Sequence, residues 1–169
     1  MKYQDCVEAL QTDDGTDGTT LAFADANINP ATGLATDYLN HFNEAIMLLE
    51  MLSSCPNCRA DLLAWKPTSY REHFAASRFK GRIMAAYDSA DSNLRSSLDA
   101  LADAMTAVLE TTRATMSADL SREATAALAE RAVALLKPLV VHAGALINGA
   151  DMSGDPAAPQ AAADRLMNG

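Results

Sequence analysis

Residues Thr36 to Cys58, TDYLNHFNEAIMLLEMLSSCPNC, decide the fold class of this chain. Apolar side chains recur here every three or four positions, and at about 100° per residue they fall on one side of a helical wheel. The residues on that side are Tyr38, Phe42, Ala45, Ile46, Leu49 and Leu52. The pattern predicts an amphipathic α-helix that Thr36 caps and that ends near Leu52, before Pro56. Since the helix must bury its apolar side, other helices are expected to pack against it.

Later segments carry the same helical periodicity. Ser69 and Glu72 have the spacing of a capping box, which predicts the start of a second long helix at Ser69. The apolar arc of this helix comprises Tyr70, Phe74, Phe79, Ile83, Met84 and Tyr87. A third helix is expected from Leu94 to Met116, after a break in the polar run 88–93.

The fourth predicted helix begins at Ser121 and contains Pro138, where the missing backbone donor is expected to produce a kink. Its apolar side is predicted to comprise Leu128, Ala132, Leu135, Leu139, His142 and Leu146. Small residues on the same helix are expected to meet a second copy of the chain, which would form a homodimer. These small residues are Ala124, Ala127, Ala132 and Ala134.

Together the helices predict an all-α protein with the architecture of an antiparallel four-helix bundle, because short connections place successive helices side by side in opposite directions. The bundle domain is expected at residues 36–150. Residues 1–35 include the acidic, turn-rich run QTDDGTDGTT and are predicted to be a flexible, irregular segment. Residues 151–169, rich in Ala, Pro and Asp, are predicted to form a mobile tail.

Composition restricts the partners that the chain is expected to bind. The 169 residues carry a net charge of −9, which argues against nucleic acid and anionic lipid surfaces. No apolar run approaches the roughly 18 residues of a membrane span, and the N-terminus lacks the apolar centre of a signal peptide. A cytoplasmic location and a protein partner are therefore expected.

The three histidines are the first candidate site. His41, His73 and His142 lie on three different predicted helices, each placed inward by its helical wheel, so they could assemble a metal or haem site. Asp37 and Glu44 share a stripe with His41 and would serve as ligands or orient its imidazole. The chain has no HxxxH pair, however, and the alternative is that each histidine hydrogen-bonds a neighbour at a helix boundary.

Cys55 and Cys58 form the second candidate, a CxxC pair whose sulfurs can converge on one point. Such a pair serves as a redox dithiol or as half of a zinc site. No second CxxC follows, and the motif comes after a helix instead of after a strand. The alternative is therefore a turn that ends the first helix and carries two small thiols.

The third candidate is the basic segment 66–82, in which Arg71, Arg78 and Arg82 are predicted to lie opposite the apolar arc of the second helix. These arginines could form an interaction surface for a phosphate, an acidic peptide or a nucleotide. The alternative is that they are simply the solvated side of an amphipathic helix.

No sequence motif indicates catalysis. The chain has no glycine-rich phosphate loop, no GxSxG elbow and no Walker lysine. The sequence therefore favours a non-enzymatic cytoplasmic helical-bundle protein that acts through protein–protein interaction, without a cofactor. The alternative function is metal or haem binding through the three histidines.

Overall fold

The computed structural model describes residues 23–55, 57–117 and 119–150. This part of the chain is mostly helical and contains no β-strand, which confirms the all-α prediction for these residues. Within residues 36–147, a 3₁₀ helix, Thr36–Leu39, leads into the first of six α-helices. The α-helices are α1 Asn40–Met51, α2 Cys58–Ala64, α3 Tyr70–His73, α4 Lys80–Ser89, α5 Ser92–Met116 and α6 Arg122–Ile147.

The first predicted helix is confirmed by the 3₁₀ helix and α1, which together bury Tyr38, Phe42, Ile46 and Leu49. The predicted cap is wrong, because Thr36 is the first residue of the 3₁₀ helix and no side chain caps that helix.

The second predicted helix is wrong as one continuous element, because it is divided into α3 and α4. The capping box is present: the Ser69 hydroxyl accepts from the Glu72 backbone N–H at 3.3 Å, and the Glu72 carboxylate accepts from the Ser69 N–H at 2.9 Å. However, the helix ends at His73. A few residues later the Ser77 hydroxyl accepts from the backbone N–H of Phe79 at 3.1 Å, a local turn that competes with helical hydrogen bonding.

The last two predicted helices are confirmed as α5 and α6. The Asp91 carboxylate accepts from two backbone N–H groups in the first turn of α5, and the Ser121 hydroxyl accepts from the Ala124 N–H at 3.1 Å. Pro138 lies inside α6. Helix α6 packs against both α5 and α1. It runs antiparallel to α1, since Leu39 lies beside Gly144 whereas Glu50 pairs with Lys137 further along.

Residues 23–35 are irregular, yet they belong to the core, which the sequence pattern did not indicate. Phe23, Ile28 and Leu34 are buried against the helices. Among the hydrogen bonds that attach this segment, the Thr32 hydroxyl donates to the carbonyl of Ile147 at 2.6 Å, and the Ala35 N–H donates to the Tyr70 hydroxyl at 2.8 Å. The rest of the predicted flexible segment, 1–22, and the predicted tail, 151–169, lie outside the described residues.

Candidate functional site

An aromatic cluster brings two of the three histidines together at the start of α1. The His41 ring stacks on Trp65, with centroids 4.6 Å apart and planes inclined by 22°. The Trp65 indole N–H donates to the His41 backbone carbonyl at 3.2 Å, which holds the two residues in register. His73, the last residue of α3, places its ring centroid 6.2 Å from that of His41. Two histidines predicted to share a site are therefore neighbours.

The electrostatics of this cluster favour a neutral imidazole at position 41. Burial lowers the pKa of His41, and the neighbouring His73 lowers it further, while Glu44 and the backbone of Lys66 act in the opposite direction. The Nε2 atom of His41 is buried and has no hydrogen-bond partner among the described residues. A neutral ring nitrogen with an open lone pair is the form of histidine that binds metal ions.

The remaining residues of the predicted metal site do not join this cluster. His142 is exposed on α6, so the prediction that it faces the interior is wrong. Glu44 is also exposed, and the carboxylate of Asp37 accepts hydrogen bonds from the Asn27 amide at 3.1 Å. Within residues 23–55, 57–117 and 119–150, no three His, Cys, Asp or Glu side chains are grouped closely enough to hold a metal ion. Metal or haem binding stays a prediction.

The error at His142 comes from the orientation of α6. Leu135, predicted to be buried, is 53% exposed, whereas the next residue, Leu136, is fully buried. The residues that α6 buries are Ala129, Ala132, Leu136, Ala143, Leu146 and Ile147. Because α6 carries apolar residues on every side, its wheel did not determine which side faces the core.

The three arginines of the predicted interaction surface lie on separate elements. Arg71, on α3, forms an ion pair with Asp88 at the end of α4, and both side chains are half exposed. The guanidinium groups of Arg78 and Arg82 lie 4.4 and 5.7 Å from the ring centroid of Phe79. The arginines therefore do not form one stripe along a single helix, and an interaction surface on them stays a prediction.

The two cysteines of the CxxC motif are neighbours at the junction of α1 and α2. Cys55 is half-buried in the connection, and Cys58, the first residue of α2, is buried. Neither forms a disulfide.

Sequence reasoning missed one further surface and predicted a second only in part, because Ala132, one of the four alanines expected to meet a second copy, is buried in the core. A cleft of about 570 Å³ between α3 and α5 is lined by acidic and phenolic side chains, including Tyr87, Asp99 and Asp103. Burial and the neighbouring Asp103 raise the pKa of Asp99. The second surface is apolar and lies on α1 and α6, where Met47, Met51, Leu135 and Val141 are exposed. The acidic cleft could have been predicted from the sequence, because Asp99 and Asp103 are four residues apart and so lie on the same side of one helix.

None of the helices in the described part of the chain combines the length and the apolar content that crossing a membrane requires. The chain matches no protein-family model, no curated protein and no solved structure. Its function is therefore inferred from the residues and geometry given above.

Proposed function

We propose that this chain is a non-enzymatic helical protein, built as an antiparallel four-helix bundle, that acts by binding a protein partner. The partner to which we commit is a second copy of the chain. The observation that carries the proposal is the exposure of large apolar side chains on α6, where Val141 is 71% and Leu135 is 53% exposed. Single exposed apolar residues are ordinary, but a grouped set of them indicates an interaction site.

These side chains lie on the solvent side of α6, where the charged residue Arg131 interrupts the apolar stripe between Ala127 and Ala134. We call the apolar residues of this side the outer α6 face. It comprises the exposed residues Ala127, Ala134, Leu135, Pro138 and Val141. Their spacings of three, four and seven place most of them on one stripe of the helix, with Leu135 at its edge. No Asp, Glu, Lys or Arg occurs from residue 138 to residue 150. The solvent side of α6 beyond Lys137 thus lacks the Asp, Glu, Lys and Arg side chains that a surface helix normally has, whereas Glu130 and Arg131 are exposed earlier in the helix.

Helix α1 extends this surface through Met47 and Met51, which are 50% and 41% exposed. An ion pair between Glu50 and Lys137, at 2.6 Å, joins the two helices. Met47 precedes Glu50 by three residues and Val141 follows Lys137 by four, so both lie one turn from the ion pair. A groove of about 400 Å³ lies between α1 and α6 beside these residues.

The balance of charge at this surface is compatible with the approach of a second copy. Two chains of net charge −9 repel each other in general. On this surface, however, the Glu50 carboxylate is neutralised by Lys137. The small side chains of Ala127 and Ala134 also permit close approach of two α6 helices, as a two-fold interface requires.

Light scattering coupled to size-exclusion chromatography tests the proposal over protein concentrations from about ten micromolar to several millimolar. We expect a monomer–dimer equilibrium that Val141→Lys and Ala134→Lys weaken by at least about tenfold, because each places a charge in the interface twice. The matched control is Ala107→Lys, at an exposed position of α5, which should dimerise as the unmodified chain does. A monomer throughout this range, or equal weakening by Ala107→Lys, would refute the proposal.

Metal or haem binding is the second candidate function, and one observation favours it. The buried Nε2 of His41 lacks a partner among the described residues, and His73 lies beside it. Two histidines are fewer ligands than zinc sites use. Metal analysis and a visible spectrum of untagged protein test this candidate. Bound metal that His41→Gln removes and His142→Gln retains would support it, and metal-free protein with no Soret band would exclude it.

A further inference from the structure

The CxxC segment has the geometry of a dithiol that can close to a disulfide. The backbone N–H of Cys58 donates to the carbonyl of Cys55 at 3.1 Å, which closes a four-residue turn. Such a turn holds its first and last Cα atoms within about 7 Å. Disulfides span Cα separations of about 4.4 to 6.8 Å, so the backbone already lies near the required spacing.

The two cysteines differ in the way that thiol–disulfide exchange requires. Cys55 is partly exposed, whereas Cys58 is only 4% exposed, so an external disulfide reaches Cys55 first. A hydrogen bond from the Cys58 thiol favours the thiolate of Cys55 and lowers its pKa. The same hydrogen bond, together with burial, raises the pKa of Cys58 to about 11. Cys55 is thus the better nucleophile, and Cys58 retains its proton until it attacks.

Neither cysteine lines the nearby cleft of about 500 Å³, but residues next to them in the sequence do, and two of the lining residues are arginines. The cleft is lined by Ser54, which precedes Cys55, by Arg59, which follows Cys58, and by Arg122 at the start of α6. The guanidinium of Arg59 donates to the carbonyl of Met116, which fixes the side chain beside the end of α5. The guanidinium groups of Arg59 and Arg122 at this cleft suit a ligand that carries carboxylates.

We propose that Cys55 and Cys58 are a redox-active dithiol that reduces a small anionic disulfide of the glutathione disulfide type, bound beside Arg59 and Arg122. The thiolate of Cys55 attacks one sulfur of the disulfide RSSR. A bond forms between that sulfur and Cys55, the S–S bond of RSSR breaks, and RS⁻ leaves and takes up the proton that Cys55 has given to solvent. Cys58 then loses its proton and attacks the Cys55 sulfur, which breaks the mixed disulfide. The second RS⁻ takes up the proton of Cys58. The products are two RSH and the Cys55–Cys58 disulfide.

The first test uses the full chain with Cys6→Ser, in which Cys55 and Cys58 are the remaining thiols. The protein is equilibrated with buffers of glutathione and glutathione disulfide, quenched in acid, alkylated and analysed by mass spectrometry. We expect one two-electron transition between a doubly alkylated dithiol and an unalkylated internal disulfide. Oxidised protein that carries only glutathione adducts, or two thiols that resist oxidation at every ratio, would overturn the proposal.

Single substitutions separate the two roles. Cys58→Ser is expected to raise the level of the Cys55–glutathione mixed disulfide at least about tenfold, because the resolving thiol is missing. Cys58→Ala, which adds no buried hydroxyl, should give the same result and protects the test if the serine variant folds poorly. Cys55→Ser is expected to react much more slowly with glutathione disulfide, because the exposed thiol is missing. Equal reactivity of the Cys55→Ser and Cys58→Ser variants would contradict the assigned order of attack.

Charge reversal tests the ligand class. Arg122→Glu is compatible with folding, because a carboxylate at the start of α6 interacts favourably with the helix dipole. We expect it to slow reaction with glutathione disulfide by about three- to tenfold but to leave the rate with neutral 2-hydroxyethyl disulfide unchanged. Arg78→Glu, outside the cleft, is the matched control. Equal effects of both variants, or equal effects on both disulfides, would refute the anionic ligand. None of these results depends on dimerisation through the outer α6 face.

Discussion

Gly33 provides the most direct test of the way the irregular segment 23–35 is held against the helices. Its φ of +72° lies in the left-handed region, which L-residues adopt at a cost of about 1–2 kcal/mol. A Cβ at this position would lie 2.9 Å from the backbone oxygen of Ala86 in α4. That oxygen belongs to a helix, so the helix or the loop must move. Overpacking of this kind costs about 1–3 kcal/mol.

Gly33→Ala should therefore lower the free energy of unfolding by roughly 3 kcal/mol, the sum of the two effects. With a urea m value of about 2 kcal/mol/M, this is a downward shift of about 1.5 M in the midpoint. The control is Gly81→Ala, near the start of α4, because a Cβ there meets nothing within 4 Å. That variant should gain up to about 0.5–1 kcal/mol from the loss of glycine's conformational freedom.

Urea unfolding followed by Trp65 fluorescence and by far-ultraviolet circular dichroism measures both variants. Trp65 is the only tryptophan, so its fluorescence reports one defined position next to His41. Equal midpoints for Gly33→Ala and Gly81→Ala would refute the reasoning, since the loop would then not pack against α4 as described.

Three further predictions concern stability. Because the pKa of His41 is lowered in the folded state, the unfolded chain binds more protons in acid, and the free energy of unfolding should fall as the pH drops below about 6.5. His41→Gln should reduce this loss, as measured by urea unfolding at several pH values followed by Trp65 fluorescence. Leu136→Ala should cost about 2–5 kcal/mol and Leu135→Ala well under 1 kcal/mol in thermal unfolding, since only Leu136 is fully buried; equal losses would place α6 in a different orientation. Ser121→Ala should cost about 1 kcal/mol by removing the cap of α6, whereas an unchanged melting temperature would mean that the cap does not contribute.

The sequence predicted the long helices well where one side alone is apolar. Helix α1 has such a pattern, and its predicted side is the buried one. The pattern failed where the decisive interaction is not periodic. The division between α3 and α4 depends on a hydroxyl–backbone contact of Ser77, and the packing of residues 23–35 depends on a turn at Gly33 beside a distant helix.

The candidate sites were predicted to a different extent. His41 and His73 were predicted to lie together, and their rings are neighbours in the structure. Each was placed on the apolar side of a helix whose pattern was clear. The prediction for His142 was wrong because α6 carries apolar residues on several sides. The adjacent residues Leu135 and Leu136 are therefore compatible with two different orientations of the helix. The CxxC pair was recognised from spacing alone. Its difference in exposure and its neighbouring arginines required the positions of α2, α5 and α6, which no local pattern contains.

The strength of the proposed dimer follows from the exposed apolar area. Full burial of one large apolar side chain is worth about 1.5–3 kcal/mol. Met47, Met51, Leu135 and Val141 are about half exposed, so covering the remainder of each contributes roughly 1 kcal/mol, and two copies contribute roughly 8 kcal/mol. Association itself costs about 4–15 kcal/mol in lost freedom. The surplus is therefore at most about 4 kcal/mol, which corresponds to a dissociation constant of about 1 mM or weaker, so the scattering experiment must reach millimolar concentrations. Since Val141→Lys removes roughly 2 kcal/mol of this burial from a small surplus, dimerisation should be lost almost completely. A tight dimer that tolerates Val141→Lys would show that another surface joins the two copies.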